Sequence, residues 1–476
     1  MKNMTLRKIA DAVGGTLFTE GMPPHISADT VEAAGVVLDS RKVEKGFVFI
    51  ATRGERVDGH RFIDSVFDAG ALGVICEQAP RNPKGAYILV QDSFQALKAV
   101  AAYYRKQLDI KVVGITGSVG KTSTKEFVAS VLAKGHHVHK TQGNFNNDVG
   151  LPLTVLQIRD DCQIAVLEMG ISDFGEMHRL SEIARPDVCL ITNIGQCHLE
   201  NLGTRDGILK AKTEIFDFMQ PNARICLNGD DDKLATIKEV QGQTPVFFGS
   251  GDGSDIYATN YENMGLVGSK AVIHLRGNGE ETAFQAEIPL PGEHMLYNAL
   301  AATAVGVVCG LSTAQIQAGI RDVEPVGGRS NVIRTGRLTL IDDCYNANPV
   351  SMKAALDLLS MTNTADAAEN HERVRKAAVL GDMFELGADE AALHSEVGAY
   401  AAAKDIDVVI CVGKLCKNMY DGAKSVGNSS VELHYYTDKE ALLAEIDKQI
   451  CDGDIVLVKA SHGMHFEEII AALSLH

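Results

Sequence analysis

The stretch from Thr116 to Ser123 combines residue types and spacing that suit the binding of a phosphate group. An apolar run stops at this stretch, and an apolar helical pattern follows it. Glycines let backbone N–H groups turn toward an anion, and the first turn of a helix offers unpaired N–H groups. Lys121 would contact the β- and γ-phosphates of a nucleotide, and the Thr122 hydroxyl would bind magnesium. The candidate nucleotide-binding residues of this loop are Thr116, Gly117, Ser118, Val119, Gly120, Lys121, Thr122 and Ser123.

The loop departs from the general P-loop pattern at one position. That pattern has a glycine five residues before the Gly-Lys pair, and Ile115 stands there in this chain. The alternative interpretation is an ordinary glycine turn between a strand and a helix. The Gly-Lys-Thr-Ser sequence directly after a strand-like run favours nucleotide binding over that alternative.

Two further residues follow strand-like runs, at positions where catalytic side chains are often found. Glu168 follows the apolar residues 164–167, which favours a magnesium-organising carboxylate over a solvent-exposed glutamate. His198 lies just past the apolar run 188–191. A single histidine is more often structural than catalytic, so its spacing leaves both interpretations open.

Other candidates carry weaker signals. Asn144, Asn146 and Asn147 form a dense amide cluster, but asparagine is common in turns. Arg329 follows a break rich in proline and glycine, from which it could reach across a cleft to a phosphoryl group. Lys212 lies in a helical pattern and has no distinguishing feature of its own.

The pattern of strands and helices predicts an α/β protein of three domains. Residues 1–92 predict a small α/β domain, and residues 93–327 predict a parallel sheet that includes the phosphate-binding loop. The carboxyl ends of parallel strands meet at one edge, so the polar residues that follow them should converge there. Residues 328–476 predict a second doubly wound domain without a phosphate-binding loop. The sequence 324–328 breaks the preceding helix and is the expected hinge.

Composition limits the function classes that the chain can have. The 476 residues carry a net charge of −17, which argues against a general nucleic-acid-binding role. The ten cysteines form no Cys-x-x-Cys pair, so buried free thiols in a reducing cytosol are expected. The N-terminus does not have the pattern of a signal peptide, and the longest apolar stretch, 299–311, is shorter than the roughly 20 residues of a membrane span. The stretch 299–311 predicts a buried helix instead. The histidines within 136–139 lack a second ligand group, so a solvent-exposed strand is favoured over a metal site.

Several stretches together are similar to those of the ATP-dependent Mur ligases. The marks shared across that family are the Thr116–Ser123 loop, Glu168 within Glu-Met-Gly, His198, the helix 292–299 and Arg329. Three motifs resemble one branch of the family, the ligases that add D-alanyl-D-alanine to UDP-N-acetylmuramoyl-tripeptide. These motifs are Thr141–Asn147, Tyr345–Pro349 and Gly381–Gly387.

The resemblance implies a cytoplasmic, monomeric enzyme of peptidoglycan precursor synthesis. It would use ATP and Mg²⁺ and pass through an acyl phosphate. The first domain, 1–92, would bind the UDP precursor, the central domain, 93–327, would bind ATP, and a Rossmann-like C-terminal domain, 328–476, would bind the amino substrate. No partner nucleic acid and no stable membrane insertion are expected.

The resemblance also implies roles for particular residues. Lys121 would contact phosphates, while Thr122 and Glu168 would hold one magnesium ion and His198 and a carbamylated Lys212 would organise a second. The residues implied to contact nucleotide or frame the substrates are Asn298, Arg329, Asp343, Tyr345, Asn346 and Asn348. The residues implied to bind the UDP precursor or its peptide are Ser40, Arg41, Asn144, Asn146 and Asn147. A carbamate forms only on a neutral amine, so Lys212 would need a lowered pKa.

Three positions depart from the family pattern and leave details open. Met295 stands where asparagine is common, Cys344 where serine is common, and His462 where an arginine usually ends a Lys-Gly-Ser-Arg sequence. The neighbouring alternatives are the tripeptide-forming Mur ligase and a folylpolyglutamate synthase, against which Tyr345–Pro349 and Gly381–Gly387 argue. A P-loop phosphotransferase or a nucleotide-gated binding module is the alternative from another class. Whether the third peptide residue is diaminopimelate or lysine also stays open.

Overall fold

The computed structural model describes residues 1–54, 57–277, 280–363, 366 and 374–475, and its strands form three sheets. The sheets follow one another along the chain without exchanging strands. Most of the polar stretch 363–371, for which the sequence predicts a solvent-exposed connection, lies outside the described residues. The fold class is α/β, as the sequence predicts, and the exact boundaries of the three domains stay predictions.

The first sheet has five strands in the order β1-β5-β4-β3-β2, and all pairs are parallel except β1 with β5. Its elements are α1 (Leu6–Val13), β1 (Thr16–Phe18), β2 (Gly35–Val37), β3 (Phe47–Ile50), α2 (Ile63–Asp68), β4 (Gly73–Cys76) and β5 (Ala86–Leu89). Local sequence sets the ends of α1. The Thr5 hydroxyl accepts a hydrogen bond from the Lys8 N–H, and Gly14 ends the helix with φ 62°.

Helix α3 (Ser93–Gln107) joins the first sheet to the second. The Asp92 carboxylate caps it by accepting hydrogen bonds from the backbone N–H groups of Phe94 and Gln95. Its buried face packs into a core shared by both units, and Tyr104 donates a hydrogen bond of 2.7 Å to the Ile158 carbonyl. The N-terminal and middle parts are therefore joined by continuous apolar packing.

The middle sheet has nine strands in the order β14-β13-β12-β11-β10-β9-β6-β8-β7. The strands are β6 (Lys111–Thr116), β7 (Val138–Lys140), β8 (Ile164–Glu168), β9 (Val188–Ile191), β10 (Arg224–Asn228), β11 (Val246–Gly249), β12 (Ile256–Asn263), β13 (Ser269–Gly277) and β14 (Glu280–Ile288). The helices are α4 (Lys121–Leu132), α5 (Gly150–Leu156), α6 (Glu176–Ala184), α7 (Leu199–Leu202), α8 (Arg205–Thr213), α9 (His294–Val308) and α10 (Thr313–Arg321).

The middle sheet is only partly the parallel sheet that the sequence predicts. Strands from β7 to β12 run parallel, whereas β12, β13 and β14 pair antiparallel. The extension has alternating burial along β13, because one face packs on α9 and α10 and the other faces water. The continuous apolar runs of the parallel strands are the stronger signal in the sequence, which is why the extension was not predicted.

The third sheet has six strands in the order β15-β16-β20-β17-β18-β19, parallel except for the β15–β16 pair. Its strands are β15 (Asn331–Arg334), β16 (Thr339–Asp342), β17 (Lys376–Gly381), β18 (Val408–Val412), β19 (Glu432–Tyr436) and β20 (Ile455–Lys459). Its helices are α11 (Pro349–Met361), α12 (Glu390–Ala402), α13 (Cys416–Ser425), α14 (Lys439–Leu443), α15 (Ile446–Gln449) and α16 (Glu467–Leu475). We call this unit the C-terminal lobe.

Three smaller expectations can be compared with the structure. The buried helix predicted for 299–311 is α9, which begins five residues earlier and ends at Val308. All ten cysteines are free and eight are buried. His139 on β7 is half-buried against the Thr154 carbonyl, so the predicted solvent-exposed strand is only partly exposed.

Within the described part of the chain, no helix is both long and apolar enough to cross a bilayer.

Candidate active site

The loop between β6 and α4 has a backbone that only small residues allow. Gly117 has φ 152°, and a Cβ at this position would lie 1.9 Å from the Thr192 hydroxyl oxygen. Gly120 has φ 83° and directly precedes the first residue of α4. The two glycines therefore let the chain turn sharply at the end of β6 and place the N-terminus of α4 at the mouth of the loop.

Residues after β9 hold this loop in place. Asn193 accepts hydrogen bonds from the Ser118 N–H at its carbonyl (3.0 Å) and from the Val119 N–H at its side-chain oxygen (2.9 Å). The Thr192 hydroxyl donates to the Val119 carbonyl at 2.7 Å. Lys121 lies over the loop and donates from its Nζ to the Gly117 carbonyl at 2.9 Å. The loop is thus pre-formed, with one cation held against it.

Glu168 lies at the end of β8, beside the loop. Its Oε1 accepts hydrogen bonds from the Thr122 hydroxyl (3.1 Å) and from the Asn146 amide (2.8 Å). Its Oε2 is buried and has no hydrogen-bond partner among the described residues. A buried carboxylate oxygen without a hydrogen-bond donor is unusual, because a hydrogen bond normally offsets the loss of hydration.

Lys125 is a cation beside Glu168 that the sequence analysis missed. It lies one helical turn after Lys121 and is 1% exposed. Its Nζ donates to the Thr141 carbonyl at 2.8 Å and lies 3.9 Å from Glu168 Oε2. The sequence did contain a signal for Lys125. It lies four residues after Lys121, within the apolar face of the predicted helix.

Lys212 is a second buried lysine. It lies on α8 and is 1% exposed. Its pKa is lowered to about 8, chiefly by burial; Cys197 opposes this shift, and the charge of Lys121 contributes to it. The structure therefore supplies the lowered amine pKa that the sequence analysis requires of Lys212.

Asn298 connects α9 to the helix that follows the loop. Its side-chain oxygen accepts a hydrogen bond of 2.8 Å from the Thr124 hydroxyl, and its amide nitrogen lies 3.3 Å from the Met295 sulfur. Next to it, the Tyr297 hydroxyl donates to Asp230 at 2.9 Å. The Met295 position that departs from the family pattern is thus part of the Asn298 environment.

The C-terminal lobe contributes a stack of three side chains. The Arg329 guanidinium lies 4.2 Å from the centre of the Tyr345 ring, and the His462 ring stacks against Tyr345 at 5.2 Å. Burial raises the pKa of Tyr345, which the Arg329 charge opposes. His462 therefore lies in the site, at the position where the family pattern has arginine.

A buried ion pair fixes the start of the Tyr345–Pro349 motif. Lys459, at the end of β20, binds the Asp343 carboxylate at 2.6 Å and the Asn346 carbonyl at 2.9 Å. The Asn348 side chain caps α11 by accepting a hydrogen bond of 2.9 Å from the Ser351 N–H. These contacts hold the motif rigidly at the carboxyl edge of the third sheet.

His198 and Glu385 make a direct contact between the middle part and the C-terminal lobe. His198 Nδ1 lies 2.7 Å from Glu385 Oε2. The hydrogen bond to His198 lowers the pKa of the Glu385 carboxyl. Glu385 belongs to the Gly381–Gly387 motif, but no role was predicted for it from the sequence.

A cavity of about 820 Å³ between the middle part and the C-terminal lobe brings most of the candidate residues together. The predicted residues that line it are Ser118, Val119, Gly120, Lys121, Thr122, Ser123, Asn144, Asn146, Asn147, Glu168, His198, Asn298, Arg329, Asp343, Tyr345, Asn346 and Asn348. Thr116, Gly117 and Lys212 lie behind this lining, where Thr116 is the last residue of β6. Lining residues for which no role was predicted include Phe248, Tyr297, Phe384, Glu385 and Lys459.

Ser40 and Arg41 are the candidates that the structure does not bring to this cavity. They lie in a short helical turn after β2, in the N-terminal part. Arg41 makes a two-pronged contact with Asp39, whose pKa it lowers to about 2. With 87% of its side chain exposed, Arg41 is accessible from solvent at a separate surface.

Comparison with known proteins agrees with this architecture. Residues 32–115 match the family described as "Mur ligase family, catalytic domain", residues 115–306 match "Mur ligase middle domain", and residues 328–462 match "Mur ligase, glutamate ligase domain". A curated relative from Bacillus subtilis, UDP-N-acetylmuramoyl-tripeptide–D-alanyl-D-alanine ligase, is 38% identical and covers 99% of each chain.

Solved structures give the same result. MurF from Acinetobacter baumannii superposes with a TM-score of 0.86 at 31% identity, over 99% of each chain. MurF ligase from Thermotoga maritima, solved in complex with ADP, superposes with a TM-score of 0.78 at 29% identity, over 93% of this chain and 97% of that one. The likeness thus extends over all three sheets and both sides of the cavity. The chain belongs to the Mur ligase family.

Proposed function

We propose that this enzyme joins D-alanyl-D-alanine to UDP-N-acetylmuramoyl-tripeptide at the expense of ATP, in the synthesis of peptidoglycan precursors. The observation that carries the proposal is the cavity shared by the phosphate-binding loop and the Tyr345–Pro349 and Gly381–Gly387 motifs. The curated relative that matches 99% of the chain at 38% identity carries this activity in its name. A peptide ligase needs its nucleotide and its amino substrate in one enclosure, and this cavity provides it.

ATP is proposed to bind with its phosphates at the loop between β6 and α4. The loop N–H groups, the α4 N-terminus and Lys121 supply positive charge. Phe248, Met295 and Asn298 line the cavity nearby and offer an apolar and amide-bearing surface for a base. Arg329 enters from the other side and is suited to a transferring phosphoryl group.

The residues present fit a magnesium ion. Thr122 and Glu168 supply hard oxygen ligands, which Mg²⁺ prefers, and the buried Glu168 Oε2 has no donor among the described residues. His198 and a carbamylated Lys212 are proposed to organise a second ion. When bound, magnesium neutralises charge that develops on the phosphates.

The reaction is proposed to begin with transfer of the ATP γ-phosphoryl group to the tripeptide carboxylate, which gives ADP and an acyl phosphate. The dipeptide amine then attacks the acyl carbon, forms the amide bond and displaces inorganic phosphate. Lys121 and Arg329 hold and neutralise the phosphoryl group. Closure of the C-terminal lobe over the cavity is proposed to keep water away from the acyl phosphate. Tyr345, His462 and the Lys459–Asp343 pair form the wall that faces the amino substrate.

The UDP-linked substrate is proposed to contact two separate parts of the enzyme. Asn144, Asn146 and Asn147 line the cavity and are proposed to meet the peptide, while Ser40 and Arg41 bind the UDP end in the N-terminal part. The enzyme is proposed to act as a monomer in the cytoplasm.

The test measures ADP release with UDP-N-acetylmuramoyl-tripeptide and D-alanyl-D-alanine supplied together and singly, using both the diaminopimelate and the lysine form of the tripeptide. We expect release only when both substrates are present. Lys121→Ala should abolish turnover without unfolding the protein. The matched control is Lys134→Ala, which removes a partly exposed lysine that pairs with Asp322. ADP release with neither substrate, or phosphate transfer to another acceptor, would refute the ligase proposal.

A further inference from the structure

The contact between His198 and Glu385 is made by two backbone positions of unusual conformation. His198 has φ 51° and Glu385 has φ 62°, a region that residues other than glycine seldom adopt. Both residues line the cavity, one from each side. A left-handed residue on each side of a cleft indicates that the surrounding structure holds both backbone segments in these conformations.

The close contact favours one position of the proton on the histidine ring. A carboxylate only accepts hydrogen bonds, so the 2.7 Å approach of Glu385 Oε2 is attractive when His198 Nδ1 carries a proton. In the neutral ring, Nε2 is then the nitrogen with a free lone pair. A carboxylate acting on the far nitrogen is the usual way in which proteins orient a histidine for its task.

The loop that carries Glu385 is held from behind by the C-terminal lobe. The Met383 N–H donates to His394 Nε2 at 2.9 Å, and the Phe384 N–H donates to the Ser461 hydroxyl at 3.0 Å. The Asp382 carboxylate accepts a hydrogen bond of 2.8 Å from the Cys416 N–H. The backbone that carries Glu385 is therefore fixed to the rest of the lobe.

We propose that Glu385 is a positioning residue that fixes the tautomer and orientation of His198 only when the C-terminal lobe lies against the middle part. The proposal rests on the proposed function and deepens it. In this scheme the His198 ring is not oriented while the lobe lies away from the middle part. The ring becomes oriented when the lobe closes, which is also when water is excluded from the cavity. Glu385 itself makes no contact with reacting atoms in this scheme.

The first test compares Glu385→Ala with Glu385→Gln in steady-state kinetics. Loss of a partner that orients a ligating histidine typically costs 10–100-fold, so we expect kcat of Glu385→Ala to fall by about that factor. The KM for the UDP-tripeptide should change by less than about twofold. Glu385→Gln keeps an acceptor oxygen at the same reach and should recover most of the loss. Wild-type kcat in Glu385→Ala, or an equal loss in both variants, would overturn the proposal.

The second test observes the histidine ring itself, without magnesium and without turnover. Histidine-labelled protein is studied by ¹⁵N NMR with the UDP-tripeptide and a non-hydrolysable ATP analogue bound, and His198→Asn identifies the signal. The wild type should show the proton on Nδ1, and Glu385→Ala should shift it toward Nε2. An unchanged ring spectrum in Glu385→Ala would contradict the proposal even if activity fell.

The matched control is another glutamate–histidine contact of the same lobe. Glu432 Oε1 lies 2.7 Å from His434 Nε2 on β19, outside the cavity lining. Glu432→Gln should leave kcat and the His198 signal unchanged. If the wild type forms no product from the two substrates, the proposed function fails. If the wild type is active and Glu385→Ala matches it, only the role of Glu385 fails.

Discussion

The amine of Lys212 shows how the interior of the molecule changes the chemistry of one residue. Water is almost fully excluded from it, and burial lowers its pKa to about 8. A lysine in this state is partly neutral near physiological pH, which is the form that can react with carbon dioxide. The same burial must weaken the folded state wherever the amine is charged.

We expect Lys212→Met to stabilise the nucleotide-free enzyme at pH 7 in buffer without carbon dioxide. The gap between the usual pKa of 10.5 and about 8 corresponds to a penalty on the order of 3 kcal/mol at pH 7. Because the folded-state pKa is the lower one, the penalty is complete below pH 8 and fades as pH rises toward 10.5. The melting temperature of Lys212→Met should thus exceed that of the wild type at pH 7 and approach it near pH 10.

The control for this prediction is Lys210→Met, an exposed lysine on the same helix. It should not change the melting temperature at any pH. Bicarbonate should raise the melting temperature of the wild type and leave Lys212→Met unaffected. A Lys212→Met enzyme that melts lower than the wild type at pH 7 would count against a charged, buried amine.

For single residues, the sequence predicts those whose positions are set by their neighbours along the chain. The loop 116–123 and Glu168 were predicted because each lies where an apolar strand-like run ends. Lys125 and Glu385 were not assigned a role, because their importance comes from contacts with residues far away in sequence. The burial of Lys212 is likewise a property of packing, which a helical pattern alone does not contain.

Among the elements, the turn from β6 into α4 depends most strictly on backbone geometry. The strand end, the two glycines and the helix N-terminus act together, and the segment 192–193 closes the turn from the neighbouring strand. Sequence predicted this turn and the parallel strands well, since apolar runs and glycines are local signals. It missed the β12–β14 extension, because half-exposed strands carry a weaker apolar pattern.

We expect Gly117→Ala to damage both stability and nucleotide binding. The new Cβ would lie 1.9 Å from the Thr192 hydroxyl oxygen, so either the loop or the end of β9 must move. Forced overpacking of this kind typically costs about 1–3 kcal/mol. Thermal melting should show the loss of stability, and ATP-analogue titration should show weaker binding.

Gly336→Ala is the comparison, since a Cβ there meets no atom within 4 Å and the backbone φ is not positive. That variant should behave like the wild type in both measurements. If Gly117→Ala bound the analogue with wild-type affinity, the fixed shape of the loop would not be needed for phosphate binding.

Over the whole molecule, the apolar cores divide the chain into two bodies instead of three. The N-terminal and middle parts share one core through α3, while the C-terminal lobe has cores of its own. One residue of the middle part breaks this division. Leu266, in the turn between β12 and β13, is 4% exposed and packs into the core of the C-terminal lobe. Its N–H donates to the Asp366 carboxylate at 3.0 Å.

We expect Leu266→Ala to loosen the lobe. Truncation of a buried leucine typically costs about 2–5 kcal/mol, and here the lost packing joins two bodies. Small-angle X-ray scattering of the ligand-free enzyme should show a larger radius of gyration than the wild type, and calorimetry should show an earlier transition of the C-terminal lobe. Val267→Ala, at the adjacent residue with 54% exposure, should change neither. Equal behaviour of the two variants would show that Leu266 does not anchor the lobe.

The Leu266 contact also restricts how the lobe can travel. The lobe is attached to the rest of the enzyme by the chain at 324–330 and, separately, by Leu266. A body fixed at two points can turn about the line between them but cannot slide freely. The lobe is therefore limited to rotation about the line that joins its two attachments. Rotation about one fixed line would bring the same side chains back to the same place, so their alignment would not have to be searched for in every catalytic cycle.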